Sequence, residues 1–136
     1  MSSNLEIVVA NAKGSAPVTV FHMHGRIDTN TYEQLQIKAD EAYLNGTRNL
    51  LLDLSEVEYV SSAGLRAIHH IYTVLRDSSL AESDEVVTQG LLDGTYKSPH
   101  LKLLNPSRDV REVLKISGFD MYIEIFNHLQ EAIASY

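Results

Sequence analysis

Two adjacent serines, Ser61 and Ser62, are the residues of this chain best placed for chemistry. They follow the apolar run Leu50 to Leu54 and a short polar loop. With Ala63-Gly64 they open onto a stripe of Leu65, Ile68, Tyr72 and Leu75 at helical spacing, widened by Ala67, Ile71 and Val74. A serine at a helix start meets unsatisfied backbone N–H groups and the positive end of the helix dipole. It can cap the helix, and the same groups stabilise the charge of a phosphate ester placed there. Arg66 follows Ser62 by four residues, so on a helix the two side chains are neighbours and a phosphate there gains a guanidinium partner.

Other chemistries are poorly provided for. His22 and His24 share one face of a strand, but His69 and His70 on a helix point about 100° apart, and no histidine or carboxylate spacing completes a metal site. Ser62 lacks the Gly-x-Ser-x-Gly elbow, and nothing marks a general base with an acid to orient it. No glycine-rich phosphate loop is present. The sequence therefore predicts a binding protein without cofactor or metal, and not an enzyme.

The elements that must position the serines alternate along the chain. Leu5, Ile7 and Val9 alternate as in a half-buried edge strand, and Lys13 to Pro17 is a turn into a second strand, Val18 to His24, which forms a hairpin with the first. Gly25 breaks that run. Asp28, Thr29, Asn30 and Thr31 offer N-caps to a helix with Leu35, Ala39, Ala42 and Tyr43 on its buried face, ending at Leu44 before Asn45-Gly46. The Leu50 to Leu54 strand is apolar enough to be covered on both faces. After the serine helix, which runs to about Arg76, residues 78–99 are acidic and broken by Gly90, Gly94 and Pro99. They read as a loop, from which deletion of Ala81 to Lys97 is expected to change stability little, with Val86-Val87 and Leu91-Leu92 leaving a short helix open. A strand from His100 to Leu104 follows, then a helix capped by Asn105 with Pro106 at its first position and Val110, Val113 and Leu114 inward. Gly118 ends that helix, Met121 to Phe126 reads as a last strand, and a final helix from Asn127 carries Leu129, Ala132, Ile133 and Tyr136. Strands alternating with helices imply a mostly parallel α/β sheet.

A chain of 136 residues with no repeat or linker fits one domain over 1–136. Its net charge of −7 argues against direct nucleic-acid binding and for a protein partner with a basic surface. Cysteine is absent, so disulfide and thiolate chemistry are excluded. No basic-then-apolar leader opens the chain and no apolar run approaches the ~20 residues of a membrane helix, so a cytoplasmic location without membrane insertion is expected.

Three segments together carry a family resemblance. Leu-Leu-Leu-Asp-Leu-Ser followed by Tyr-Val-Ser-Ser-Ala-Gly-Leu-Arg, the turn Gly25-Arg26-Ile27-Asp28, and Val110 to Phe119 resemble the STAS domain, most closely the bacterial anti-sigma factor antagonists. The resemblance implies a single STAS-like α/β domain, a mixed, mostly parallel sheet of about five strands with about four helices, and a probable loop insertion at 78–99. It implies phosphorylation at Ser62, two positions before Gly64, with Ser61 as secondary site because Ser61 stands where many members carry aspartate. Asp28, Arg26, Thr29, Ser61, Ser62, Gly64 and Arg66 would form the partner-binding surface. The implied partners are an anti-sigma serine kinase of the histidine-kinase-like ATPase type, bound by the unmodified form so that the sigma factor is freed, and a PP2C-type phosphatase. A second reading is a STAS scaffold in a transporter-associated or stress-sensing complex, in which Ser62 is unphosphorylated and serves only as a cap.

Overall fold

The computed structural model describes residues 4–77, 84–94 and 96–136. Five strands form one sheet in the order β1-β2-β3-β4-β5: β1 is Leu5–Lys13, β2 Pro17–Ile27, β3 Leu50–Val60, β4 Leu101–Leu104 and β5 Glu124–Phe126. The expected hairpin pairs β1 antiparallel to β2, and every later pairing is parallel. Helices α1 (Tyr32–Leu44), α2 (Ser62–Asp77), α3 (Asp84–Asp93), α4 (Arg108–Ile116) and α5 (Leu129–Ala134) connect or follow the strands.

Strand alternation separates two cores. Phe21, Met23, Leu50, Leu52, Leu54, Leu101 and Leu103 face one side, where Leu35 and Ala39 of α1, Ala67, Ile68 and Ile71 of α2 and Val110 and Leu114 of α4 cover them. Val18, Val20, Leu51 and Leu104 face the other side and meet Ala132 and Ile133 of α5. With both faces covered, Leu50, Leu51 and Leu52 are almost wholly removed from water, each contributing about 1.5–3 kcal/mol of transfer free energy.

Two strands outrun their sequence boundaries. Gly25 does not break β2: the strand bulges between Gly25 and Arg26 and continues to Ile27, with Gly25 at φ +123° because the Asn4 carbonyl occupies the space a Cβ would need. That extension gives β3 a partner past Leu54. The segment expected to be a loop therefore stays in the sheet, pairing Arg26 with Tyr59 and Ile27 with Val60.

Three local expectations change for physical reasons. The cap of α4 is Ser107, whose Oγ accepts from Val110 N at 3.3 Å, while Asn105 takes a left-handed φ of 54° and donates its N–H to the Phe126 carbonyl. Residues 119–121 form a single 3₁₀ turn after the left-handed Gly118, so the last strand shortens to Glu124–Phe126. The final helix begins at Leu129, which is itself exposed.

The expected loop at 78–99 contains α3. Residues 78–83 and 95 of that segment lie outside the described residues. Val87 is buried to 4 % exposure, whereas Leu91 and Leu92 face water. Beyond the helix, Tyr96 donates its N–H to the Gly90 carbonyl and accepts at its hydroxyl from Tyr72, and Lys97 Nζ donates to the Asp120 and Met121 carbonyls at 2.9 and 3.0 Å. These contacts tie the segment to the body, against the expectation that removing it changes stability little.

Candidate functional site

The carboxyl ends of β2 and β3 lie side by side, and each turns there into a helix, the position at which open α/β sheets commonly bind ligands. The two turns are tied by the Ser61 N–H, which donates to the Ile27 carbonyl at 2.9 Å. The Gly25 to Asp28 turn and the serine pair thus form one surface.

The two serines divide their roles. Ser61 immediately precedes α2, its Oγ accepting from Gly64 N at 3.2 Å and its carbonyl from Leu65 N at 2.9 Å, which is the pattern of an N-cap. Ser62 is the first helical residue and is exposed, and among the described residues its hydroxyl has no hydrogen-bond partner. Gly64 is buried against the neighbouring turn: a Cβ there would sit 2.5 Å from the Ile27 carbonyl oxygen and 2.9 Å from Val60 Cγ1. Glycine is what lets the serine turn approach the end of β2.

Asp28 does not cap α1. The N-cap is Thr31, without a side-chain cap bond, and Asp28 instead organises the turn from a buried position at 8 % exposure. Its Oδ1 accepts from Asn30 N at 2.9 Å and from Thr31 Oγ1 at 3.3 Å, while Oδ2 lies 3.5 Å from Arg26 Nε. Thr31 Oγ1 also donates to the Arg26 carbonyl at 2.7 Å and accepts from Asp28 N. Arg26 lies exposed with its guanidinium 4.6 Å from the Tyr59 ring centroid, and Thr29 projects into water at the tip. Tyr59 was not singled out from sequence, yet at 42 % exposure it joins Arg26 in the surface; its signal was an aromatic two residues before the serine pair.

Arg66 lies one turn along α2 and is exposed. It lines an open groove of about 500 Å³ with Leu65, His69, His70, Thr73 and Phe119. The histidines have separate partners: His69 Nδ1 is 3.2 Å from the Tyr122 hydroxyl, His70 Nε2 is 3.2 Å from Asp40, and His22 Nδ1 is 2.7 Å from Asp53 Oδ2. Burial, and then the charge of Tyr72, pushes the Tyr122 phenol up to about 12. Ser55 Oγ donates to Asp53 Oδ1 rather than to His22, so this trio is not a nucleophile-to-base relay. Among the described residues no three histidines and carboxylates lie close enough to hold a metal, and no helix is long and apolar enough to cross a membrane.

The STAS domain model matches residues 9–81, which end where the acidic segment begins. BtrV of Bordetella bronchiseptica, whose name gives it as an anti-sigma factor antagonist, is 30 % identical over 114 residues, 84 % of this chain and 82 % of that protein. The fold is similar to an anti-sigma factor antagonist from Mycobacterium paratuberculosis, with TM-score 0.70, 19 % identity, and coverage of 97 % of this chain and 93 % of that one. It is also similar to the antagonist SpoIIAA in its unphosphorylated form, with TM-score 0.64, 20 % identity and coverage of 97 % and 93 %. The sequence match over the serine motif, the relative at 30 % identity and the similar fold agree: the chain belongs to the STAS domain family, among the anti-sigma factor antagonists.

Proposed function

We propose that this protein is a phosphorylation-controlled, non-enzymatic antagonist acting in the cytoplasm. Its unmodified form binds an anti-sigma serine kinase of the histidine-kinase-like ATPase type, freeing the sigma factor. The kinase phosphorylates Ser62, and a PP2C-type phosphatase reverses the modification. The observation that carries this reading is the division of labour at α2: Ser61 makes the cap, which leaves the Ser62 hydroxyl exposed at the positive end of the helix.

Arg26, Asp28, Thr29, Ser61, Ser62, Gly64 and Arg66 are the proposed docking surface: Asp28 and Gly64 shape it from buried positions, while Arg26, Thr29, Ser62 and Arg66 present side chains to the partner. A phosphate adds about −1.5 to −2 charge to a small neutral turn. Within the domain the helix N-terminus and Arg66 stabilise that charge, so the fold survives. A packed partner surface must desolvate it, and a cost of only about 2.7 kcal/mol weakens the complex a hundredfold. SpoIIAA has been solved in a phosphorylated form as well, with TM-score 0.56 to this chain, 20 % identity and coverage of 97 % and 96 %.

The test is incubation with the cognate kinase and ATP, followed by mass spectrometry and a binding assay. Phosphate is expected on Ser62, absent in Ser62→Ala, with loss of kinase binding on modification and constitutive binding by Ser62→Ala. Phosphate on neither serine, from a kinase active on another substrate, would favour the scaffold reading. Phosphate on Ser61 in the wild type would move the switch onto the cap itself.

A further inference from the structure

We propose that the groove along α2 is a binding site for a small aromatic carboxylate, its anion taken by Arg66 and its ring laid against His69 and Phe119. The groove, of about 500 Å³, falls in the size range of small-molecule sites, and Leu65, Arg66, His69, His70, Thr73 and Phe119 line it. The lining residues of α2 recur at spacings of three and four, so they form one stripe, and from Arg66 to Thr73 it runs about 10 Å. Phe119, on the 3₁₀ turn that follows Gly118, supplies the wall that α2 does not. The inference does not depend on phosphorylation of Ser62, although Arg66 also belongs to the docking surface proposed above.

Charge selects one end of the ligand. From Ser62 to Arg76, α2 contains no aspartate or glutamate, in a chain whose net charge is −7. Arg66 is exposed and makes no hydrogen bond or ion pair among the described residues, whereas Arg26 pairs with Asp28, Arg48 with backbone carbonyls and Arg111 with Asn127. No carboxylate among the described residues lines the groove; Asp40 meets the lining through His70 Nε2, at 3.2 Å. A guanidinium left open beside an apolar wall takes a carboxylate through two parallel N–H donors. With one guanidinium and no lysine in the lining, the site suits a single negative charge, and its apolar remainder gives a hydrated polyphosphate nothing in exchange for lost water. The rings select the other end. His69 and Phe119 have centroids 6.5 Å apart with a 44° tilt, and Tyr72 and Tyr122 pack against the His69 ring at 5.8 and 6.5 Å. The bond from His69 Nδ1 to the Tyr122 hydroxyl fixes that ring further, so a flat aromatic body stacks there without ordering new side chains. The Thr73 hydroxyl already donates to the His69 carbonyl at 3.1 Å, so it makes no polar demand on the ligand.

The test is titration of the isotope-labelled full chain with 2-naphthoate, followed by amide NMR, with neutral 2-naphthamide as the isostere that lacks the charge. Saturable shifts are expected at Leu65, Arg66, His69, His70, Thr73 and Phe119, with a Kd of about 1 mM or below, the affinity of a small ligand in an open groove. Arg66→Gln alters an exposed side chain without partners, so it should keep the wild-type thermal midpoint, weaken naphthoate about tenfold and leave naphthamide unchanged. Phe119→Leu keeps an apolar side chain but removes the ring, and should weaken both ligands by about threefold or more. Equal binding of the two ligands by wild type, or undiminished binding of naphthoate by Arg66→Gln, overturns anion capture by Arg66. Naphthoate affinity unchanged in a folded Phe119→Leu variant overturns the aromatic wall. Shifts that saturate elsewhere on the molecule, or none saturating by about 10 mM, overturn the site and leave the groove to a helix of a protein partner. Concentration-dependent shifts of the same amides without ligand would show a second copy covering the groove, and overturn the proposal as well.

Discussion

Ser61 and Ser62 are the same residue one peptide bond apart, and the backbone gives them different work. The Ser61 oxygen satisfies an otherwise orphan N–H at the start of α2, while Ser62 projects from the first turn into water. Removing a cap oxygen costs about 1 kcal/mol, whereas surface truncations away from such features stay within about 0.5 kcal/mol. In urea unfolding, Ser61→Ala should therefore lose about 1 kcal/mol and Ser62→Ala almost nothing. Equal losses from the two variants would contradict the division of roles on which the switch depends. The pair itself and its helix were legible from residue types, because small residues followed by a 3.6-residue stripe are a local pattern. Which serine caps was not legible: the turn geometry is fixed by Ser61 N bonding the Ile27 carbonyl, a contact between segments 34 residues apart in sequence.

The helix α3 shows what local reading misses. Acidic residues and glycines from 78 to 99 resemble a loop, and the apolar pairs Val86-Val87 and Leu91-Leu92 are too few to declare a buried face. Gly90 would ordinarily weaken a helix, but a Cβ there would lie 2.5 Å from Tyr96 Cβ, so the glycine allows the returning chain to pack on α3. Val87→Ala should then destabilise the domain by about 1–3 kcal/mol through the lost burial and the cavity, and Leu92→Ala, at 79 % exposure, by less than about 0.5 kcal/mol. Indifference to both would return the segment to a passive loop. The strand ends were misread for the same class of reason. Gly25 looks like a stop by propensity, yet pairing to β1 and β3 on both sides carries β2 through it to Ile27. By contrast, the α/β class, the hairpin edge and the doubly covered Leu50 to Leu54 strand followed from periodicity alone, since burial on one or both faces writes itself directly into the pattern.

The sheet as a whole has a tyrosine closing each of its two faces, and this sets how the protein should respond to alkali. Tyr122 packs on the helical side beside His69, Tyr72 and Phe119, and its phenol is pushed up to about 12 by burial and then by Tyr72. Tyr136 packs on the α5 side, where its hydroxyl donates to the Leu50 carbonyl and its ring lies 4.7 Å from the Lys102 ammonium. Burial pushes its phenol up further, the Lys102 backbone opposing and Glu124 adding to the rise. In the unfolded chain both phenols ionise near their ordinary value of about 10. Above that pH the unfolded state binds fewer protons than the folded one, so the contribution of these groups, fully present below about 10, declines as pH rises. For Tyr122 the decline ends near 12, and for Tyr136 it continues beyond. Urea midpoints measured from pH 8 to about 11.5 should be level with respect to these groups up to about 9.5 and then fall. Tyr136→Phe should lower stability at neutral pH, through loss of the bond to Leu50, and flatten the alkaline slope relative to wild type. Tyr122→Phe should flatten the slope as well, with a smaller neutral cost because its hydroxyl, among the described residues, meets only the exposed His69 ring. Lysines titrate in the same range in every variant, so the comparison rests on differences from wild type. A double variant with the wild-type alkaline slope would show that neither phenol stays protonated in the folded sheet.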